Sequence, residues 1–150
     1  MKRKLERYAL MERLYRIKEE ALLKNLRGAR DRDKEQSEQL TMLDEMIHEY
    51  EQISHPLPGQ SKQPQAVMMQ RRFLDSVRGA RTHQLQALKT TEKTTHEILA
   101  QVIRSRSKTD SMRLLKERTE SQINAHVERR EQSENDDMNA RRNIPTRTDY

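Results

Sequence analysis

Apolar residues return every seven positions along the first third of the chain. Tyr8, Tyr15, Leu22, Ala29, Leu43 and Tyr50 form one series, interrupted at Gln36; Leu26, Leu40 and Ile47 form a second, interrupted at Asp33. Two interleaved series at this spacing are the d and a positions of a heptad pattern, and they commit the segment to a helix packed along a narrow seam. A second stretch carries Phe73, Val77, Ala80, Gln84, Leu88, Thr91, Thr95, Ile98 and Val102, then Met112, Leu115 and Ile123, with a shift near Met112 of the kind a stutter produces. Between the two lies "EYEQISHPLPGQSKQPQAV" (49–67), with three of the four prolines and one of the three glycines. Proline cannot donate the amide hydrogen that a continuing helix needs, and it steers the preceding residue out of helical geometry. The pattern therefore predicts an all-α protein: two long helices forming an antiparallel coiled-coil hairpin.

The expected boundaries are a helix over 3–54, a turn over 55–65 and a helix over 66–142, a single hairpin domain 1–142 followed by a disordered tail 143–150. At 1.5 Å per residue the arms span about 78 Å and about 115 Å. Helices of that length need a partner face, and a short connection lets the arms supply it to each other. Folding about residue 60 sets Leu43 opposite Val77, Ile47 opposite Phe73 and Tyr8 near Met112. Residues past about 118 are then left without a partner within the chain.

Composition supports an elongated helical chain over a compact globule. Only 32% of the 150 residues are apolar while 36% are charged, and the chain has no Trp and one Phe. A globule of this size needs more apolar volume. Disorder is disfavoured by the scarcity of Pro and Gly and by the abundance of Leu, Glu, Lys, Arg, Gln, Met and Ala, which form helices readily. With no cysteine there is no disulfide framework and no thiolate metal site. No apolar run reaches the length of a signal peptide core or of a membrane span, so a soluble cytoplasmic protein is expected. The net charge of +6 is uneven, with +6 over residues 1–30 and −6 over 31–60.

Catalytic and metal chemistry find no support in the residue pattern. The five histidines, His48, His55, His83, His96 and His126, show no i, i+4 pair with a third ligand nearby. Gly28, Gly59 and Gly79 are isolated, so no phosphate-cradling loop exists. A narrow hairpin offers its carboxylates no dry pocket, and no enzyme is expected. The basic helices "MKRKLERYALMERLYR" and "RSRSKTDSMRLLKER" interleave Arg and Lys with Glu, which describes a solvated coiled-coil surface rather than a phosphate-tracking face. They also lack the broad aromatic face of a membrane-surface helix.

Beside the break the pattern is wider than a seam. With Leu43 at zero on a helical wheel, Leu40, Ile47, Tyr50, Met46, Ile53 and Met42 spread over an arc of about 160°. The second arm does the same around Val77, with Leu74, Phe73, Ala80 and Met69. Gln39, Leu43, Met46 and Tyr50, and likewise Phe73, Val77, Ala80 and Gln84, are each spaced i, i+4, i+7, i+11. Three readings fit these stripes: members of the seam, a homodimer interface, or a docking patch for another protein.

Several motifs together resemble the flagellar export protein FliJ family. They are "FLDSVRGARTHQLQAL" (73–88), the arm ending "MLDEMIHEYEQ" with Tyr50 just before the turn, the "LLKER" stretch (114–118), the "DDMNARR" close and the mid-chain turn itself. The YscO-like stalk proteins of injectisomes share the architecture. The resemblance implies a non-enzymatic stalk or adaptor without cofactor, similar to the central stalk of rotary ATPases. It implies binding to the hexameric export ATPase (FliI) and its regulator (FliH), to the cytoplasmic domain of the export gate (FlhA), and to export chaperones that it helps to recycle. It implies no nucleic-acid partner and no direct membrane insertion, but a cytoplasmic protein held at the inner membrane through its partners. By position, the gate-binding surface falls on Gln39, Leu43, Met46, Tyr50, Phe73, Val77, Ala80 and Gln84. Met46 departs from the family's aromatic and Gln84 from its histidine. The ATPase-ring contact falls on the basic stem: Lys2, Arg3, Lys4, Arg7, Arg13 and Arg16, with Arg113, Lys116 and Arg118. The rival readings are a generic homodimeric coiled coil or an injectisome stalk, and a basic nucleic-acid-binding helical protein.

Overall fold

The computed structural model describes residues 1–53 and 63–143. Two helices account for nearly all of them: α1, Lys2–Ile53, and α2, Pro64–Arg142. They pack antiparallel against each other as a coiled-coil hairpin with no strand among the described residues. Residues 54–62 and 144–150, which take in the expected end of the first helix and most of the expected turn (55–65) and tail (143–150), lie outside the described residues.

Pro64 and Gln65, expected in the connection, are the first residues of α2. Proline suits a first helical position, because the amide it lacks has no intrahelical acceptor there. The turn begins with the Val67 amide donating to the Gln63 carbonyl at 3.2 Å. At the other end, Arg141 and Arg142 place positive charge against the negative pole of the helix dipole.

The seam keeps a three–four alternation throughout both helices. On α1 the less exposed positions run Leu5, Tyr8, Glu12, Tyr15, Glu19, Leu22, Leu26, Ala29, Asp33, Gln36, Leu40, Leu43, Ile47 and Tyr50. On α2 they run from Val67 and Gln70 through Leu74, Val77, Arg81, Gln84 and Leu88 to Met112, Lys116, Thr119 and Ile123. Two expectations change here. Phe73 and Ala80 are exposed, and their places in the seam belong to Leu74 and Arg81. No shift occurs near Met112, because Lys116 and Thr119 continue the alternation while Leu115 faces outward. Arg81 and Lys116 hold their places for the same physical reason. A two-stranded seam tolerates long polar side chains whose aliphatic stems line it while their heads reach water. Apolar character alone therefore misplaces the stripe.

Backbone contacts divide the chain into two compact units: Met1–Glu19 with Arg104–Tyr150, and Glu20–Ile103. In the first, the terminal unit, Glu12 and Glu19 of α1 meet Lys116 and Arg106 of α2. In the second, the turn-side unit, Asp33 meets Thr95, Gln36 meets Gln84, Asp44 meets Arg81 and Glu51 meets Arg78. Every one of these pairs except Gln36–Gln84 lies further along α2 than a fold about residue 60 places it.

Among the described residues, Leu26, Ala29, Val77 and Val102 are the buried apolar side chains. Leu26 is 4% exposed, so Leu26→Ala is expected to lower unfolding free energy by about 3 kcal/mol, measured by urea denaturation. Leu14, 57% exposed on the outer face of α1, serves as the control; Leu14→Ala should change stability by less than about 0.5 kcal/mol.

Candidate functional site

The turn-side unit has two unlike flanks. On one, Asp44 and Glu51 each follow a seam residue (Leu43, Tyr50) by one position, and Arg78 follows Val77 in the same way. These side chains close the flank with ion pairs: Asp44 with Arg81, and Glu51 with Arg78 at 2.8 Å. On the other flank, Gln39, Met46, Phe73 and Ala80 each precede a seam residue (Leu40, Ile47, Leu74, Arg81) by one position. In an antiparallel pair, residues offset from the seam in the same sense on both helices lie on the same face. All four are exposed, and no ion pair covers them among the described residues.

The two stripes expected at the gate-binding surface thus separate. Leu43, Tyr50, Val77 and Gln84 belong to the seam, while Gln39, Met46, Phe73 and Ala80 stand on the open flank. One aromatic contact joins the two groups. The Phe73 ring lies against Tyr50 with centroids 4.5 Å apart and planes tilted by 36°. Phe73 remains 41% exposed even so, an amphipathic placement in which one face of the ring packs and the other meets water. Gln84 is committed elsewhere: its Nε2 donates to the Gln36 carbonyl at 3.0 Å and to Gln36 Oε1 at 2.7 Å. The open flank also carries Met42 and Met69, 64% and 72% exposed, which extend the apolar surface with unbranched, adaptable side chains.

In the terminal unit the expected ATPase contacts also separate. Glu12, with its side chain only 8% exposed, is held by Arg16 at 2.8 Å and by Lys116 at 3.2 Å. Arg16 and Lys116 are therefore engaged within the hairpin. Arg113 is shared between Asp110 and Glu117 on its own helix. Lys2, Arg3, Lys4, Arg7, Arg13 and Arg118 are exposed and make no ion pair among the described residues. They accompany an apolar ridge that the heptad reading passed over: Leu10, Leu14 and Ile17, exposed and spaced i, i+4, i+7 on the face of α1 turned away from Glu12, Tyr15 and Glu19. The signal was present in the sequence as a second apolar period out of phase with the seam.

No group of three or more His, Cys, Asp or Glu side chains among the described residues is placed to hold a metal ion. No described helix is long and apolar enough to cross a membrane. The arrangement is suited to binding through exposed helix faces.

Comparison with known families matches the chain to the family model described as "Flagellar FliJ protein" over residues 5–146. No curated protein and no solved structure matches the chain. The match takes in nearly all of both helices, the seam, the open flank and the basic stem apart from Lys2, Arg3 and Lys4, and on that extent this chain belongs to the flagellar FliJ family.

Proposed function

We propose that this protein is a non-enzymatic stalk of the flagellar type III export apparatus that docks on two partners through different surfaces. The open flank of the turn-side unit binds the cytoplasmic domain of the export gate, FlhA, with Phe73 as anchor and Gln39, Met46 and Ala80 around it. Leu43, Tyr50, Val77 and Gln84 act from beneath: they set the spacing of the helices and hold Phe73 outward. The terminal unit contacts the export ATPase, FliI, through Lys2, Arg3, Lys4, Arg7, Arg13 and Arg118, with Leu10, Leu14 and Ile17 supplying apolar contact area. Arg16 and Lys116 support that surface through Glu12, and Arg113 through Asp110 and Glu117 of its own helix. FliH and the export chaperones are reached through the same assembly, at the cytoplasmic face of the inner membrane.

Family membership carries the role in flagellar export. The observation that supports a docking surface is the asymmetry of the turn-side unit: ion pairs close one flank, and a half-exposed Phe73 with its methionines stands on the other. Aromatic anchors in such a setting tend to dominate interface energies. Exposed apolar surface gains about 25 cal/mol per Å² on burial, which favours a partner over water.

Fluorescence titration of the intact chain with the gate's cytoplasmic domain and, separately, with the ATPase ring tests the reading. Saturable binding to both is expected. Binding to neither, with a stable dimer of the chain by sedimentation, supports the homodimeric coiled coil instead. Binding to duplex or single-stranded nucleic acid that collapses with salt supports the nucleic-acid reading.

A further inference from the structure

Besides the contact of Arg81 with Asp44 at its edge, the seam of the turn-side unit contains two polar cross-helix contacts where apolar residues would pack as readily. Thr95 Oγ1 donates to Asp33 Oδ2 at 2.7 Å, while Asp33 Oδ1 is buried without a partner. Gln84 Nε2 donates to Gln36 Oε1 at 2.7 Å and to the Gln36 carbonyl at 3.0 Å. Around them most of the unit's seam is aliphatic, with Leu22, Leu26, Leu40, Leu43 and Ile47 on α1 and Leu74, Val77, Leu88, Ile98 and Val102 on α2, while Gln70, Arg81 and Thr91 are further polar places.

The alternation of seam positions is unbroken in both helices, so sliding one past the other by a heptad restores the same geometry. Aliphatic side chains discriminate poorly between these registers, since Leu packs on Val or Ile with little difference. The polar pairs do discriminate. A slide of one heptad in either direction sets Asp33 against Leu88 or Val102, and Gln36 against Val77 or Thr91, in place of the observed Thr95 and Gln84. A carboxylate facing an aliphatic side chain loses its hydrogen bond without regaining water, which penalises both neighbouring registers.

We infer that the Asp33–Thr95 and Gln36–Gln84 contacts are register locks: they give up seam stability to exclude slipped pairings of the two helices. The inference is independent of the partners proposed above. It concerns whether the hairpin presents one open flank or several, since a slipped register moves Phe73 past Gln39 and Met46.

The absence of cysteine makes the test direct. Cysteine pairs at 44/81, 44/74 and 44/88 report the observed register and its two neighbours through a short bis-maleimide crosslinker. In the parent seam, 44/81 alone is expected to crosslink, following the Asp44–Arg81 contact. In the aliphatic seam variant, Asp33→Val, Thr95→Val, Gln36→Leu and Gln84→Leu, the 44/81 yield is expected to fall by about half, with product appearing at 44/74 or 44/88. The midpoint of thermal unfolding should rise by about 5 °C, as happens when buried polar contacts give way to apolar ones. A variant that still crosslinks only at 44/81 would overturn the inference, as would a parent that crosslinks at all three pairs. The exchange Asp33→Thr with Thr95→Asp guards against a folding failure: it keeps the pair and should keep 44/81 as the sole product. Slipped products in that variant contradict the proposal.

Discussion

Phe73→Ala is expected to weaken binding to the gate's cytoplasmic domain by about 30-fold or more, the loss typical of a central aromatic anchor. Helix content should stay close to that of the parent chain. The ring is 41% exposed and packs through one face on Tyr50, so its removal leaves the seam residues Leu74 and Val77 in place. Stability should fall by only about 1 kcal/mol, the scale of one aromatic contact on a partly exposed surface. Titration calorimetry together with far-UV circular dichroism separates the two effects. A large loss of helicity means that Phe73 works as core; unchanged affinity means that the flank is not the docking surface. Tyr50→Phe adds a finer reading: it keeps the ring contact, and gate binding should change little.

Reversing the unpaired stem charges has the second large effect. Arg3→Glu, Lys4→Glu and Arg7→Glu together are expected to remove stimulation of the export ATPase while leaving gate binding within about two-fold, as sites without shared contacts behave independently. All three are exposed and none makes an ion pair among the described residues, so their replacement breaks no ion pair there. Stimulation by the parent chain should decline as ionic strength rises, because exposed charges are screened over about 8 Å at physiological salt. Steady-state ATP hydrolysis at several salt concentrations measures both. Unaltered stimulation by the triple variant assigns the stem charges to solubility alone.

Much of the architecture was legible in the sequence, for a physical reason. A heptad pattern that runs for fifty residues and stops at a proline cluster leaves few options besides a hairpin. On α1, the series through Tyr8, Leu22, Leu26, Leu43 and Ile47 follows the seam closely, because aliphatic residues fill most of its places. On α2, Lys116 and Arg81 hold seam places where a reading that follows apolar character drifts to Leu115 and Ala80, and Leu74 holds the place expected of Phe73. The register was misjudged along with it, since it rests on which polar residues find partners across the seam.

The docking stripes were visible as a spacing, but spacing alone does not separate seam from flank. That distinction needs the side chains one position away, above all Asp44, Glu51 and Arg78, whose ion pairs occupy one flank and leave the other open. The stem was legible only as positive charge. Pairing of Arg16 and Lys116 with Glu12 takes two cations out of the outward-facing set, and a ridge of Leu10, Leu14 and Ile17 joins it.

Sedimentation velocity on an equimolar mixture of this chain, the assembled export ATPase and the gate's cytoplasmic domain tests the two-surface account most directly. The account predicts a ternary species, heavier than either binary complex, that loses only the gate domain when Phe73 is replaced by alanine. Displacement of one partner by the other, with binary complexes and no ternary species at any ratio, would contradict it.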